Sequence, residues 1–208
     1  MKPDERVQWI YSSRDNDELA RRYDRWAKSY DNDLGEAYGW IGPQRAAELF
    51  SRWVPRPARI LDAGAGTGLV GQALAACGYT DIAAGDLSIG MLDEARRKKV
   101  YRDFHQIVLG EPLTFESDAF GAIISVGVLT LGHAPPSALV ELIRITKPGG
   151  HIIFTLRTDV FVQNGFKEKQ ADLEQSRAWV LEEVSDPFRP MPKGEPDVWH
   201  QIWAYRVS

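Results

Sequence analysis

Residues 60–71 read "ILDAGAGTGLVG", four glycines directly behind a run of strand-forming apolar residues. Glycines after a strand let the chain turn sharply and approach a ligand closely, and the helix that follows offers free backbone N–H groups. Two kinds of chemistry use such a turn. As a dinucleotide fingerprint the match is Gly66-x-Gly68-x-x-Gly71, with Asp86 twenty residues past Gly66 to meet a ribose hydroxyl. Three features argue against that assignment. The first glycine after the strand is Gly64, out of phase with the fingerprint; a helical segment precedes the strand; and the roughly 50 residues after the fifth strand leave no room for a separate substrate domain. Asp86 could instead cap the next helix, but Ser88 is equally placed to do so.

The elements that must position these residues follow from periodicity. Short apolar runs at 59–63, 81–85, 104–109, 120–126 and 151–156 alternate with helical patterns near 68–76, 90–98 and 136–146. That alternation predicts a parallel sheet covered by helices. "KPGG" at 147–150 ends the third of those helices, because proline cannot continue it and glycines accept positive φ. A polar helix near 165–177 then precedes two β-like segments, 179–184 and 199–207, with a Pro- and Gly-rich connection between them. The expected fold is therefore α/β, a Rossmann-like, seven-stranded, mostly parallel sheet with a C-terminal antiparallel strand.

Residues 1–55 form a helical cap or lid in this reading, and 56–208 the core. Asp15 and Glu18 make a capping box. Leu19, Tyr23, Trp26 and Tyr30 then recur on one helix face. Pro43 opens a second helix with Ala46, Phe50 and Trp53 inward.

Several stretches taken together resemble class I S-adenosylmethionine-dependent methyltransferases. They are "LDAGAGTG" (61–68), "GDLSIGML" (85–92), "FGAIISVGVL" (120–129) and "RITKPGGHIIFTLR" (144–157). With "YDRWAKSYD" (23–31) and "VGVLTLGH" (126–133), the chain looks most similar to the small methyltransferase type of the Williams–Beuren syndrome critical region. The resemblance implies S-adenosylmethionine as cofactor. Asp62 with the backbone of Gly64, Ala65, Gly66 and Gly68 would hold its methionine end, and Asp86 both ribose hydroxyls. Leu87 and Met91 would wall the adenine, while Val126 and Gly127 would flank the methionine part. Val108 stands where the family carries an acidic residue near the adenine amino group, so Leu109 and Gly110 would read adenine by backbone. Gly121 stands where an aspartate is usual.

Methyl transfer from a sulfonium is an in-line displacement, for which the protein must mainly align the acceptor and exclude water. His133, on a loop after the fourth strand, suits a general base for an OH or NH acceptor. Tyr30 resembles the family's contact near the cofactor carboxylate and joins His133 as a catalytic candidate. Tyr23, Trp26 and Trp40 are candidates for the substrate wall. Arg157 would meet an anionic group of the substrate, unless it pairs with Asp159 or Glu111. No obligatory catalytic residue is visible, which leaves a non-catalytic cofactor-binding or partner protein, and less favourably an NAD-dependent oxidoreductase, as alternatives.

Composition narrows the partners. Lys plus Arg number 25 against 29 Asp plus Glu, a net charge of −4, which disfavours nucleic acid. The basic run at 96–99 reads as a helix C-terminus. Cys77 is the only cysteine, and no metal-ligand spacing joins the histidines. No apolar window reaches the length of a membrane span, and no signal-peptide core is present. The expectation is a cytoplasmic enzyme acting on a small molecule, with its oligomeric state open.

Overall fold

The computed structural model describes residues 3–130 and 132–208. Met1 and Lys2 of the expected cap and Leu131 of the 126–133 stretch lie outside the described residues. The chain begins with α1 (Pro3–Tyr11), α2 (Asn16–Asn32), a π-helical turn (Asp33–Tyr38) and α3 (Gly42–Trp53). Then come β1 (Ile60–Ala63), α4 (Leu69–Ala76), β2 (Ile82–Asp86), α5 (Ile89–Arg97), β3 (Asp103–Gln106), β4 (Phe120–Leu129) and α6 (Ala138–Ile145). β5 (Thr146–Arg157), α7 (Thr158–Gln163), α8 (Phe166–Gln175), β6 (Trp179–Val184) and β7 (His200–Val207) complete it.

The seven strands lie in the order β3-β2-β1-β4-β5-β7-β6. β7 pairs antiparallel with both β5 and β6, while every other pairing is parallel, so a single strand is reversed. β1 and β2 are buried along their whole length, the pattern of strands covered by helices on both faces. This is the architecture expected from the sequence, with α1 and α7 as added helices and three local differences in the strands. β4 continues to Leu129 instead of stopping at 126. β3 ends at Gln106, short of the expected 109. The "KPGG" stretch does follow the end of α6, but it belongs to β5: Phe120 pairs with Thr146 and Ala122 with His151, so residues 147–150 form a bulge between the two pairs. Gly150 is required there, because a Cβ would sit 2.6 Å from the Gly121 carbonyl oxygen.

The boundary between cap and body also shifts. Ala46, Ala47, Leu49 and Phe50 of α3 share one apolar cluster with Ile60, Ile82 and Ile124 of the sheet, so α3 is a covering helix of the sheet. A separate cluster, built on Val7, Ile10, Leu19, Trp26, Leu34, Tyr38 and Met191, unites α1, α2 and the π-helical turn. Its polar hub is the buried Asp33 carboxylate. Asp33 Oδ2 accepts from Trp26 Nε1 at 2.7 Å and Ser29 Oγ at 3.1 Å, and pairs with Arg6.

α2 is fastened to the sheet body by acids at two points. Asp24 Oδ1 accepts from Ser88 Oγ (2.6 Å) and from the Gly90 N–H (2.8 Å) at the start of α5. Asp31 accepts from Thr67 Oγ1 and pairs with Lys98. Gly90 permits the close approach, since a Cβ would lie 2.9 Å from Asp24 Cα.

Beneath the glycine turn, Asp62 is fully buried at the end of β1. Its Oδ2 accepts from the Tyr101 hydroxyl at 2.6 Å, and that hydroxyl oxygen accepts from the Gly71 N–H at 3.0 Å, locking α4 to β1. Oδ1 has no partner, and burial, followed by the nearby Asp86 charge, pushes this carboxyl up to about 7 despite the tyrosine bond.

Two predictions follow from these buried carboxylates. Asp33→Ala strands the Trp26 indole and the Arg6 guanidinium, and should lower stability by about 3 kcal/mol in urea denaturation. A loss below about 1 kcal/mol would show that the apolar cluster alone holds α1 and α2. The Asp62 carboxyl is raised from its ordinary 3.8 to about 7, so its protonation favours the folded state. Its contribution is complete below pH 4 and disappears as pH rises through about 7. Stability measured between pH 4 and 8 should therefore fall with pH more steeply in the wild type than in Asp62→Asn. Equal slopes would contradict the shift.

Candidate functional site

The strand order reverses between β1 and β4, and the crevice beyond the carboxyl ends of strands at such a point is where open α/β sheets bind ligands. A trough occupies that position under α2. Its largest part spans about 760 Å³ of space that opens to solvent, and two adjoining parts about 370 and 410 Å³. Gly64 and His133 line all three parts, which makes them one continuous feature.

The four glycines of the turn have different duties. A Cβ at Gly64 would meet Val128 Cγ2 at 2.2 Å, at Gly68 Tyr101 Cε2 at 2.9 Å, and at Gly71 Tyr101 Cζ at 2.2 Å. Those three are bare because protein packs against them. A Cβ at Gly66 would meet nothing within 4 Å, and its φ is +53°. Gly66 alone of the four turns its bare face to open space, in the wall of the trough.

Asp86 holds this turn from the neighbouring strand. Its Oδ2 accepts from the Gly66 N–H at 2.8 Å and its Oδ1 from the Ser88 N–H at 2.9 Å. Burial raises the carboxyl to about 6, against the opposing pull of those backbone N–H groups. Ser88 performs the capping, its Oγ accepting from the Met91 N–H at 3.1 Å. The Asp86 oxygens thus retain lone pairs toward the trough, which they line together with Leu87 and Met91.

The remaining sequence candidates divide by position. Ala65, Gly66, Val126 and Gly127 line the largest part. Leu109 and Val108 line the part beside Leu87. Asp62 lies behind the turn, with both carboxylate oxygens buried in the body, and not on the wall. Gly68 starts α4 against Tyr101, and Gly110 packs against Pro135, 2.7 Å from a would-be Cβ.

Tyr23, Trp26 and Tyr30 of α2 and Trp40 all line the largest part. Trp40 packs over Gly127, and Tyr23 stacks parallel to Trp26 with ring centroids 6.4 Å apart. The Tyr23 hydroxyl meets His133 Nε2 at 2.7 Å, tying the lid helix to the loop after β4. Burial holds the Tyr23 and Tyr30 phenols above their ordinary range, so both stay protonated.

Arg157 departs from its expected role. It is the last residue of β5, and its guanidinium grips Asp159 through two bonds of 3.0 and 2.7 Å. It also lies over the Tyr11 ring and is not on the cavity wall. Its charge is spent inside the protein, which is the alternative the sequence left open.

Sequence reasoning passed over Tyr11, Thr67, Thr130, Met191 and His200, all on the cavity wall. Val7, Ile10 and Tyr11 do show an i, i+3, i+4 pattern that signals an inward helix face. His200 reaches the cavity only because β7 pairs with β5, placing it opposite Arg157. No local pattern announces that.

Residues 61–154 match the family described as "Methyltransferase domain". Human methyltransferase-like protein 27 is 36% identical over 167 residues, 76% of this chain and 66% of that protein. A demethylmenaquinone methyltransferase of Renibacterium salmoninarum is 35% identical over 145 residues, 66% of this chain and 57% of that protein. The chain thus spans about two thirds or less of the length of these curated relatives. Among solved structures, a TehB-like SAM-dependent methyltransferase from Corynebacterium glutamicum superposes with a TM-score of 0.66 at 20% identity, covering 90% of this chain and 99% of that one, a likeness of fold. A glycine turn with one face open at a switch point, a carboxylate ending β2 behind it, and these relatives converge. The chain belongs to the class I S-adenosylmethionine-dependent methyltransferases, and S-adenosylmethionine is its cofactor.

Proposed function

We propose that this protein transfers the methyl group of S-adenosylmethionine to an oxygen or nitrogen of a small-molecule acceptor held in the aromatic cavity under α2. The observation that carries this reading is the continuity of the trough: the open face of Gly66 and the Asp86 carboxylate share one space with Tyr23, Tyr30 and His133. The bound cofactor supplies a methyl carbon on a positively charged sulfur, and transfer leaves a neutral thioether. Asp86 would accept from the ribose hydroxyls, the backbone at Gly64 and Gly66 would receive the methionine end, and Leu87 and Met91 would wall the adenine.

The chain's contribution to the reaction is alignment and exclusion of water, together able to supply roughly 7–11 kcal/mol. Trp26, Tyr30 and Trp40 close the cavity to solvent. The paired Tyr23 hydroxyl and His133 Nε2 give an acceptor's O–H or N–H proton a place to go. A small acceptor is supported by the aromatic lining of the cavity and by a relative whose name specifies demethylmenaquinone. The stretches at 23–31 and 126–133 support a place among the small Williams–Beuren-type methyltransferases. A net charge of −4 speaks against nucleic acid as the acceptor. Among the described residues, no helix is long and apolar enough to cross a membrane.

Calorimetry tests the cofactor half. Asp86→Ala should weaken S-adenosylmethionine binding by about 1–3 kcal/mol, because it leaves buried hydroxyl donors unpaired. Wild-type affinity should also fall as pH drops through about 6, where the carboxylate protonates, and should be flat above pH 7. Unchanged affinity in the variant would remove Asp86 from the site.

Gly66→Val places a side chain in the one open face of the turn and should abolish binding. The strain of a non-glycine residue at this φ limits the stability loss to about 1–2 kcal/mol. Normal binding by that variant would mean the space beside Gly66 is not the cofactor's. Turnover against a panel of small hydroxyl and amine acceptors tests the transfer itself. Binding without methylation of any of them would favour the non-catalytic reading.

A further inference from the structure

At the end of the aromatic cavity away from Asp86, the wall changes character. Tyr11 from α1, Thr130 after β4 and His200 from β7 meet there. Thr130 and His200 are more than nine-tenths buried. His200 Nδ1 has no hydrogen-bond partner, Thr130 Oγ1 has only the neighbouring Tyr11 phenol in a poorly formed contact, and Glu195 Oε2 near Tyr11 is likewise unpaired. Buried polar atoms in folded proteins nearly always have well-formed partners, so His200 Nδ1 and Thr130 Oγ1, on one cavity wall without them, call for an explanation. A ligand group that completes them is the simplest one.

The charge of that group can be read from what surrounds it. The cavity is lined by Tyr11, Tyr23, Trp26, Tyr30 and Trp40, and among its described lining residues there is no Asp, Glu, Lys or Arg. The nearest cation, Arg157, is already held by two bonds to Asp159 and also meets the Tyr11 phenol behind the wall. An anionic group placed here would lose its water without gaining a free positive charge, a heavy penalty. An ammonium group would meet aromatic faces but no carboxylate. Burial, and then the Arg157 charge, hold the His200 imidazole down to about 3, so the ring is neutral and offers one acceptor and one donor nitrogen.

We propose that Tyr11, Thr130 and His200 form a subsite for an uncharged hydroxyl group carried on an aromatic ring, so that the acceptor is a neutral hydroxyarene. The aromatic walls take the ring, and the polar end fixes its direction in the cavity. This deepens the methyl-transfer reading and rests on it. Tyr11, Thr130 and His200 are specificity-determining residues here, whether or not the hydroxyl they hold is the one methylated.

The test uses the full chain and three related probes, 2-naphthol, 2-naphthoate and 2-methylnaphthalene, whose binding is followed by fluorescence in the presence of S-adenosylmethionine. Cofactor binding is measured separately in each sample by calorimetry. The expected order is 2-naphthol tightest, with the carboxylate and the methyl compound weaker. Thr130→Val and His200→Phe should each weaken 2-naphthol about 3- to 10-fold, the loss of one hydrogen bond. Each should leave 2-methylnaphthalene and S-adenosylmethionine unaffected. Both variants remove an unsatisfied buried polar atom, so their thermal stability should be unchanged or higher, which a purely structural role would not produce.

Tighter binding of 2-naphthoate, or 2-naphthol binding indifferent to both variants, would overturn the subsite while leaving the transferase reading intact. So would cofactor binding with no affinity for 2-naphthol. Absence of cofactor binding in the wild type would instead remove the proposed function on which the subsite rests.

Discussion

The site depends on one buried carboxylate. Asp86 closes β2, accepts from the backbone of the glycine turn that follows β1, and accepts again from the turn that starts α5. Two turns twenty residues apart in sequence, the one after β1 and the one after β2, are thereby held at one point, at the carboxyl ends of the parallel strands. A carboxylate is suited to this because it accepts on two oxygens and keeps lone pairs for a ligand. The strain of that role is visible in its chemistry: burial drives the group toward protonation, and only the backbone N–H groups oppose it. A ligand with hydroxyl donors would relieve the same tension, which links the geometry of the turn to the binding of a ribose.

The lid is built on the opposite principle. Among the described residues its aromatic face makes no strand pairing to the body, and orientation comes from the Tyr23–His133 contact and a few placed acids. Asp24 reaches the start of α5, Asp31 reaches Thr67 and Lys98, and Asp33 ties α1 to α2 and the π-helical turn. The first two contacts sit beside the cofactor turn itself, at Ser88 and Thr67. The position of the aromatic wall is therefore coupled to the loops that would hold the cofactor, and the lid is set by the residues it covers.

Charge is distributed so that the cavity stays neutral. Arg157, Asp159 and Glu195 lie next to it and influence one another, but their compensation is internal. Tyr11 and His200 stand between this charged layer and the open space as neutral groups that present no charge to the cavity. The neutral wall suits a reaction that begins with a sulfonium and ends with a neutral thioether, because fixed charges nearby would have to be solvated by the protein at every stage.

Much of this was legible in the sequence, for a physical reason. The strands and helices, the glycine turn, Asp86, the Ser88 cap and the inward face of α2 are all written in local spacing, where period, capping chemistry and backbone freedom act over a few residues. What the sequence could not settle was which of several nearby groups a side chain would choose. Gly66 is distinguished from Gly64, Gly68 and Gly71 only by what packs against each, and those neighbours, Val128 and Tyr101, come from other strands and loops. Asp62 turned to Tyr101, away from the role the resemblance implies for it, and Arg157 turned to Asp159, one of the two partnerships the sequence left open. His200 entered the cavity because an antiparallel strand from the end of the chain pairs beside β5. By itself the sequence determined the sheet, the cofactor turn and the family. Only the tertiary structure decided the acceptor's surroundings, because pairing between distant segments depends on packing, not on neighbours in the chain.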